Sequence, residues 1–322
     1  MTENSPTFSM NIETVNLAGT TPERFARVLK SLADQDYPIT NANEVILVDS
    51  GRWPAEQIRE MCAPYPWIEI MRVNSGTAYG DSKMLAVPHM TGDILLFCDA
   101  DVIYELNWLR QLLTTFHEHP EIEVLAGDTS VEEALRDTGV FGLAMSIVYL
   151  FPHFSDEQEL EDKHHYEANN VGFRREVLLR YPGPMNLPVK RAHLFIHNVL
   201  LKRKGFTIWH QPKARAHHPV PQGLAKLTEE FWALGQDSAY VSRFFADFSG
   251  TTYLEKTRLK GRFDRLVDEL RRDSTNWLRL PFALPIMFLA VLIYAVSRTY
   301  GLLHRPSKAE NLREIWGDAL PN

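Results

Sequence analysis

The chain has 322 residues, a length typical of one long domain or of one domain with an appendage. Hydrophobic residues at 45% and charged residues at 23% are ordinary globular values, which excludes a disordered or collagen-like polypeptide. The 34 basic and 41 acidic residues leave a formal net charge of −7, so we expect no nucleic-acid partner. The two cysteines, Cys62 and Cys98, are too few for a disulfide framework and lack a zinc-site spacing.

The first part of the chain alternates between predicted strands and predicted helices. Strands are predicted at residues 8–16, 44–49, 68–73 and 93–98. Helices are predicted after a Thr21 cap with Pro22 at the first position, and at residues 54–62, 80–89 and 105–116. Repeated βα units of this length predict an α/β fold, with a doubly wound sheet and helices on both faces. Ligands of such sheets bind beyond the carboxyl ends of the strands, so the residues there are candidate site residues.

The carboxyl end of the strand at 93–98 carries two acidic residues. Asp99 and Asp101 flank Ala100 directly after a fully apolar run. Two carboxylates in this position can hold a hard divalent cation against a substrate diphosphate. Without a cation, two buried like charges close together are costly. The alternative is a solvated turn, and we expect the metal site.

Other strand ends also carry hydrogen-bonding side chains. Asp49 ends the second strand, where it can accept hydrogen bonds from a nucleobase or ribose or, alternatively, cap a turn. Residues 13–16 (Glu-Thr-Val-Asn) end the first strand. The segment 167–175 combines amides with Arg174 and Arg175, which suits acceptor or phosphate recognition or, alternatively, a solvated helix start.

Several longer motifs follow one another within residues 6–220. They are SLADQDYP at 31–38, EVILVD at 44–49, GDILLFCDAD at 92–101, ANNVGFRR at 168–175 and PKARAHH at 212–218. In content and order these motifs resemble those of family-2 glycosyltransferases of the GT-A fold. The resemblance implies a GT-A type doubly wound mixed sheet and the transfer of a sugar from a nucleotide-sugar donor.

The resemblance also implies a donor site and a metal site. The matched donor-binding positions are Thr14, Asn16, Asp49, Lys83 and Asp99. The matched metal positions are Asp99 and Asp101, with Asp101 expected to ligate the cation, Mn²⁺ or Mg²⁺. His218 matches a late histidine that completes the metal coordination, and His217 is the competing assignment.

The acceptor side departs from the family pattern. Asn170 (or Asn169), Arg174 and Arg175 match positions expected at the acceptor or at a phosphate. Family members usually carry an aspartate before a helix, and that aspartate deprotonates the acceptor hydroxyl. Here residues 177–228 contain no Asp or Glu.

Three explanations for the missing base stay open. His193 or His197 serves as the base, unless both histidines simply pack inside their helix. A more distant acid, Glu161, Asp162 or Glu167, reaches the site. The acceptor is already anionic, for example a lipid phosphate, and needs no base. We favour the anionic acceptor, with His197 as the reserve base.

The end of the chain carries a membrane signal. Residues 280–296 form an uncharged apolar run, which predicts a transmembrane or deeply inserted helix at 278–303. A buried helix or one in the membrane interface is the alternative. Amphipathic helices rich in basic residues are predicted at 226–275, where they suit anionic headgroups. The positive-inside rule then places residues 1–279 in the cytoplasm and the tail at 304–322 across the membrane.

Together these features predict a glycosyltransferase domain at 6–225 on the cytoplasmic side of the cell membrane. We expect a hexosyltransferase of cell-envelope or polysaccharide synthesis that uses a nucleotide-sugar donor, contacts membrane lipid, and has a lipid-linked or polysaccharide acceptor. The apolar segment 139–152 is too short to span and is expected to be a core or interfacial helix. Two alternatives are a non-catalytic nucleotide-sugar or lipid-binding subunit of a membrane assembly and a nucleotidyltransferase. The latter needs a basic phosphate-binding loop, and residues 13–20 have no Lys or Arg.

Overall fold

The computed structural model describes residues 6–132, 139–149, 154–155, 157–163, 165–244 and 263–304. The chain divides into two compact units. The sheet unit consists of Met1–Thr129, Phe154–Leu187 and His193–His217. The helical unit consists of Ser130–His153, Pro188–Ala192 and His218–Asn322.

The described residues form nine strands in one mixed sheet. The strands are β1 (Phe8–Glu13), β2 (Val45–Asp49), β3 (Ile68–Arg72), β4 (Ile94–Asp99), β5 (Ile103–Tyr104), β6 (Val124–Val131), β7 (Glu161–Lys163), β8 (Asn170–Arg174) and β9 (Ile208–His218). Their order is β3-β2-β1-β4-β8-β6-β9-β5, with β7 paired to β9. The first four strands of this order are parallel, and β8 runs antiparallel to both β4 and β6. The predicted α/β fold with a mixed sheet is confirmed.

The helices of the described part lie between and after these strands. They are α1 (Pro22–Ala33), α2 (Ala55–Cys62), α3 (Tyr79–Ala86), α4 (Trp108–Glu118), α5 (Gly139–Val148), α6 (Arg175–Arg180), α7 (His193–Arg203), α8 (Gly223–Phe244) and α9 (Asn276–Leu303). Residues 263–272 are also helical.

Local sequence explains where the first elements begin and end. Thr21 caps α1 as predicted, because its hydroxyl accepts from the amide of Arg24 at 3.3 Å, and Pro22 occupies the first turn. The first strand is shorter than predicted. It ends at Glu13, and the chain turns at once into a short 3₁₀ helix at Val15–Gly19. The side chains of residues 14 and 16 therefore leave the strand and surround its carboxyl end.

The parallel register brings the strand ends to one edge of the sheet. Glu13 pairs with Asp99 across β1 and β4, and with Val48 across β1 and β2. Strands β1, β2 and β4 are buried along their whole length. The sequences of β2 and β4 are accordingly nearly continuous apolar runs, whereas β1 (FSMNIE) alternates apolar and polar residues. The polar residues at their ends are thus held on a rigid, fully packed core.

The helical unit is built around α5, α8 and α9. Helix α5 is buried at most positions, which confirms a core helix in the segment 139–152 as far as it is described. Helix α9 has 28 residues and is long and apolar enough to cross a membrane by length and composition. Parts of the predicted amphipathic region (245–262) and nearly all of the predicted tail (305–322) lie outside the described residues.

Candidate active site

Two side chains of α3 hold the carboxylate of Asp99 at the end of β4. Lys83 Nζ lies 2.6 Å from Asp99 Oδ1 and also donates to the carbonyl of Cys98 at 2.9 Å. The hydroxyl of Tyr79 lies 2.8 Å from Asp99 Oδ2. Because Tyr79 and Lys83 are four residues apart, they lie on the same face of the helix. Asp99 is therefore fixed in place and paired with the buried ammonium group of Lys83.

Asn16 connects the two aspartates. Its side-chain nitrogen lies 3.1 Å from Asp99 Oδ2 and 3.5 Å from Asp101 Oδ1. The carbonyl of Asp101 accepts from Arg24 Nε at 2.8 Å, which holds the backbone between the aspartates and α1. The structure thus brings together four of the residues predicted from the sequence: Asn16, Lys83, Asp99 and Asp101.

A third buried carboxylate, that of Glu13, lies at the end of β1 beside Asp99. Its Oε1 accepts from the hydroxyl of Ser82 at 3.1 Å and from the amide of Val15. Burial, and then the negative charge of Asp99, raise the pKa of Glu13 to about 8, although Lys83 acts in the opposite direction. Glu13 is therefore largely protonated at neutral pH, which limits the negative charge buried at this edge.

Thr14 and Asp49 lie at the neighbouring strand ends. Thr14 Oγ1 donates to the carbonyl of Val48 at 2.7 Å and accepts from the amide of Ser50 at 3.0 Å. Asp49 Oδ1 accepts from the amide of Gly51 at 2.8 Å, where the backbone has a φ of 68°. The turn-capping interpretation of Asp49 is confirmed by this contact. Nucleoside binding by Thr14 and Asp49 stays a prediction.

The chemistry of these side chains fits a divalent cation at Asp101. Both oxygens of Asp99 already accept hydrogen bonds, from Lys83, Tyr79 and Asn16. Asp101 adds a second buried carboxylate, and carboxylate oxygens are the ligands that Mg²⁺ and Mn²⁺ prefer. Asp101 is therefore a second candidate ligand beside Asp99, and its expected role as the metal ligand stays a prediction.

The end of β9 lies beside the segment that follows Asp101. His217 pairs with Ile103 in the register of β5 and β9, two residues beyond Asp101. His217 Nε2 lies 3.2 Å from Glu105 Oε1. The strand pairing thus gives the competing histidine a partner of its own, the carboxylate of Glu105.

His218, the preferred histidine ligand, belongs to the helical unit. Its Nδ1 bonds to the carbonyl of Pro219, and its ring lies 6.1 Å from the ring of Tyr149. Since a carbonyl only accepts, Nδ1 carries the proton and the lone pair is on Nε2. Metal-binding histidines commonly show this arrangement, in which the second nitrogen donates to a carbonyl.

Asn170 serves as a structural bridge. It pairs with Cys98, one residue before the Asp-Ala-Asp segment, and its Oδ1 accepts from Trp108 Nε1 at 2.7 Å. Its Nδ2 donates to the carbonyls of Asp128 and Ala214 at 3.1 and 3.0 Å. The amide is fully buried and joins three strands to α4, so we leave it out of the proposed acceptor site.

Asn169 is linked to the Asp-Ala-Asp segment by the hydroxyl of Tyr104. The carbonyl of Asn169 accepts from the Tyr104 hydroxyl at 2.8 Å, and that hydroxyl accepts from the amide of Asp99 at 3.0 Å. Its side chain accepts from the hydroxyl of Thr129 at 3.2 Å. Of the two asparagines, Asn169 is therefore the one linked to the backbone of Asp99.

Arg174 and Arg175 do not lie with the other predicted residues. Arg174 pairs with the first residue of β4, whereas Asp99 is the last residue of that strand. The side chain of Arg174 donates to the carbonyl of Ile122, and that of Arg175 to the carbonyl of Met90, both at 2.9 Å. Since β8 runs antiparallel to β4, the two ends of the motif at 168–175 lie at opposite edges of the sheet.

His193 lies at the start of α7, packed against α3. Its Nε2 is 3.7 Å from Asp81 Oδ1, which is too long for a hydrogen bond. A Cβ added at Gly80 would lie 2.4 Å from His193 Cβ, so only glycine permits this approach. Burial lowers the pKa of His193 to about 4 and raises the pKa of Asp81. The structure thus places a neutral histidine next to a buried carboxyl group.

His197 is bonded at both ring nitrogens. Nε2 lies 2.8 Å from the carbonyl of Tyr181, and Nδ1 lies 2.7 Å from the hydroxyl of Tyr166. Because the carbonyl can only accept, Nε2 carries the proton and Nδ1 accepts from Tyr166. Burial lowers the pKa of His197 to about 4. Both nitrogens are occupied, which favours the packing alternative for this residue.

A separate group of possible metal ligands lies at β7 and β9. Oxygen or nitrogen atoms of Glu157, Glu161 and His210 lie within 4.8 Å of one another. His210 Nδ1 is 3.0 Å from Glu161 Oε1, and His210 Nε2 is 3.8 Å from Asp128 Oδ1. This group contains none of the residues at the end of β4.

Three further side chains lie beside the predicted residues: Tyr79 and Asp81 are absent from the sequence-based prediction, and Glu13 is named there only as part of the strand end 13–16. Tyr79 was detectable, because it precedes Lys83 by one helical turn. The proton on Glu13 depends on burial and on Asp99, which only the fold supplies. Asp81 meets His193 through a packing contact between two helices that are far apart in the chain.

Fold and site together define the class of protein. A mixed sheet, in which the antiparallel strand β8 follows four parallel strands, and an Asp-x-Asp pair at the end of the central parallel strand β4 form a GT-A-like glycosyltransferase fold. The model of glycosyl transferase family 2 matches residues 19–181, half of the chain, and the chain belongs to this family. Its class of reaction is therefore sugar transfer.

Two solved structures share the fold. The mannosyltransferase PcManGT from Pyrobaculum calidifontis, in complex with GDP-Man and Mn²⁺, superposes with a TM-score of 0.57 at 16% identity, over 94% of this chain and 88% of that chain. GalNAc-T7 with UDP, GalNAc and Mn²⁺ gives 0.51 at 14% identity, over 85% of this chain and 59% of that chain. No curated protein sequence is significantly similar. At these identities the likeness concerns the fold alone.

Proposed function

We propose that the protein is a metal-dependent hexosyltransferase that moves a sugar from a nucleotide-sugar donor to a membrane-linked acceptor. The observation that carries this proposal is the set of buried Asp99, Asp101 and Lys83, joined by half-buried Asn16, at the carboxyl edge of the sheet. The favoured donor is a nucleoside diphosphate joined to a sugar, and this edge combines carboxylates with a buried ammonium group. The reaction needs negative charge to be stabilised as the diphosphate departs.

The donor is proposed to bind across the ends of β1, β2 and β4. Thr14, Asn16 and Asp49 offer hydrogen-bonding groups for the nucleoside, and Asp99 is held in one orientation for the ribose. Lys83 lies too deep for direct contact with a diphosphate, because its side chain is completely buried. Its role in the proposal is to orient Asp99 and balance its charge.

The proposed cation site is built on Asp101, with Asp99 at its edge, and His218 as a further ligand stays a prediction from the sequence. A bound Mn²⁺ or Mg²⁺ supplies positive charge that neutralises the departing nucleoside diphosphate. Mn²⁺ is present in the two solved structures described above, which favours it as the first metal to test. Asp101 contributes a carboxylate on a backbone that Arg24 holds in place.

The acceptor is proposed to carry its own negative charge. His197 has both ring nitrogens in hydrogen bonds, so it is a poor base. His193 is buried beside Asp81 and has a lowered pKa. With these residues engaged, an acceptor phosphate that attacks as an anion needs no protein base. The stretch 177–228, which has nine Lys or Arg and no Asp or Glu, supports such an acceptor. His193 replaces His197 as the reserve base.

The membrane is proposed as the place of the reaction, with the sheet unit on the cytoplasmic side. Helix α9 supports attachment through its length and apolar composition. An acceptor phosphate carried on a lipid would then be presented at the same surface. A lipid-linked or polysaccharide acceptor in cell-envelope synthesis is consistent with this placement.

The proposed function is tested with purified full-length protein in detergent. Donor hydrolysis and transfer are measured for GDP-, UDP-, CMP- and dTDP-sugars with Mn²⁺, Mg²⁺ or EDTA, and binding of each nucleotide is followed by thermal stabilisation. We expect turnover only with a divalent metal, and a loss of about a hundredfold or more in Asp101→Ala.

A matched control separates this site from the other ligand group. Glu161→Gln removes a possible ligand at β7 and β9 and should leave the metal dependence of turnover unchanged. Undiminished turnover by Asp101→Ala in EDTA would overturn the proposal. Nucleotide binding without turnover of any donor would indicate the non-catalytic alternative.

A further inference from the structure

Helix α9 has one buried face and one exposed face. Its buried positions recur every seven residues and carry small side chains: Asn276, Ala283, Ala290 and Ser297. On the opposite face the large apolar side chains are 37–77% exposed, whereas the two charged residues of the helix, Arg279 and Arg298, are half-buried. Examples are Leu278, Phe282, Phe288, Leu292, Val296 and Leu303. A continuous uncharged face of this length marks an interaction surface.

Helix α8 packs closely along the buried face. A Cβ added at Gly235 would lie 2.6 Å from the carbonyl oxygen of Tyr294, and one added at Gly301 would lie 2.8 Å from Ala239 Cβ. The side chain of Gln236 donates to the carbonyl of Ser297 at 2.9 Å. Positions increase together in both helices, so they run parallel. Because the two helices are packed this closely, the position of α9 in a membrane also fixes the position of α8.

Helix α8 carries charged groups along the apolar part of α9. Extending the same register by five residues from Gly235 places Glu230 at the level of about residues 289–293, within the apolar run. Glu230 Oε1 lies 2.6 Å from an Arg191 guanidinium nitrogen, and the side chain of Glu229 is 61% exposed. Asp237 accepts from the backbone amides of residues 190–192 at 2.7–3.0 Å.

These contacts distinguish between two orientations of α9 at a membrane: across the bilayer or flat in its surface. If α9 crossed the bilayer, α8 and residues 190–192 would enter the hydrocarbon with it, including the exposed carboxylate of Glu229. Charged groups at that depth are strongly disfavoured. If α9 lies flat, only its uncharged face enters the lipid, and α8 stays on the aqueous side.

We infer that α9 lies in the plane of a lipid bilayer, with its exposed face inserted to the depth of the headgroup and acyl boundary, and does not cross the bilayer. This inference rests on the membrane attachment in the proposed function and specifies its form. Arg271 and Arg272 are exposed just before α9, where they can meet anionic headgroups. Trp277 and Tyr300, at the two ends of the same face, have the amphipathic rings that favour the membrane interface.

A flat helix changes the predicted topology. The positive-inside rule places residues 304–322 across the membrane, because that rule assumes a spanning helix. With α9 in the plane, the chain leaves the membrane on the side where it entered. The tail and the sheet unit then face the same compartment.

The test is labelling of single introduced cysteines by an impermeant maleimide in sealed membranes from expressing cells. Ser307→Cys reports the tail, and Lys30→Cys, whose side chain is 69% exposed, reports the sheet unit. Wild-type protein is the background, because Cys62 and Cys98 are both buried. We expect both variants to be labelled in inside-out vesicles and neither in intact spheroplasts.

Each other outcome overturns a different claim. Labelling of Ser307→Cys only in spheroplasts means that α9 spans, while membrane attachment survives. Recovery of the wild-type chain in the soluble fraction, or as a dimer that buries this face, means that lipid is not the partner. Sugar transfer is measured separately in detergent, so its failure is distinguishable from either result.

A second measurement tests the inserted face directly. Phe282→Glu and Phe288→Glu together should lower the fraction that floats with anionic vesicles at least fivefold, without changing transfer to a soluble acceptor. Leu106→Glu alters a side chain of similar exposure, 62%, in the sheet unit and should float as the wild type does. Unchanged flotation of the double variant would contradict the inference.

Discussion

Lys83 Nζ lies 2.6 Å from Asp99 Oδ1, and neither side chain is more than 2% exposed. Tyr79 and Asn16 add hydrogen bonds to the same carboxylate. A buried ion pair of this kind is costly to break, because removal of one partner leaves an uncompensated charge. The pair therefore fixes the geometry of the strand end on which the proposed donor and metal sites depend.

Lys83→Met should destabilise the sheet unit by about 3–5 kcal/mol, because the carboxylate of Asp99 then stays buried without the ammonium group that balances its charge. The measurement is thermal or urea unfolding followed by circular dichroism. Lys30→Met is the matched control, since Lys30 pairs with Asp34 at the exposed surface and its loss should change stability little. Equal stability of Lys83→Met and wild type would show that the pair does not hold this edge together.

The carboxyl group of Glu13 should make stability depend on pH. Its pKa is about 8 in the folded protein, whereas the ordinary pKa of a glutamate is 4.5, so the folded state binds the extra proton between these values. Stability from this group is fully present below pH 4.5 and is lost as the pH rises through 8. The expected slope is about 1 kcal/mol per pH unit.

Glu13→Gln tests this dependence, because it keeps the shape of the protonated side chain and cannot ionise. In metal-free buffer the variant should lose that slope and should be more stable than the wild type at pH 8. The free energy of unfolding is measured at each pH from 5 to 8. An identical pH dependence of the two proteins would contradict the assignment of the proton to Glu13.

The two histidines of α7 should respond differently to substitution. His197→Ala removes the partners of Tyr166 and Tyr181 and should destabilise the protein by about 3 kcal/mol. If the acceptor is an anionic phosphate, His193→Gln and His197→Gln should keep the wild-type pH dependence of transfer wherever they fold. Loss of transfer to a hydroxyl acceptor in His193→Gln, with donor binding intact, would instead identify His193 as the base.

Gly235 should be intolerant of even a methyl group. A Cβ there meets the carbonyl of Tyr294 at 2.6 Å and Ser297 Cβ at 2.7 Å, so Gly235→Ala forces α8 and α9 apart. We expect a loss of about 1–3 kcal/mol of stability and a fall in membrane-bound protein. Gly76→Ala is the control, because no atom lies within 4 Å of its added Cβ. Similar melting temperatures for both variants would contradict the close packing of these helices.

The sequence predicted the elements whose signals are local or periodic. Apolar runs predicted the buried strands β2 and β4, and the Thr21-Pro22 pair predicted the start of α1. The Asp-Ala-Asp segment was expected at a strand end, and the register of β1 and β4 places it there. These predictions hold because strand burial and helix capping depend mainly on neighbouring residues.

The edge of the sheet at which a residue lies depends on the direction of its strand, and no local sequence pattern specifies that direction. Asn170 and Arg174 share one short motif, yet the antiparallel direction of β8 places Asn170 beside Cys98 and Arg174 at the far end of β4. The protonation of Glu13 likewise required Asp99 and Lys83 from distant segments.

The apolar composition of residues 280–296 by itself determined that α9 seeks an apolar environment. Only the tertiary structure decided which face of that helix is exposed, because Gly235 of α8 packs against Ser297 of α9 and covers the other face. Composition measures how much apolar surface a segment carries, whereas the packing of neighbouring elements decides where that surface is left exposed.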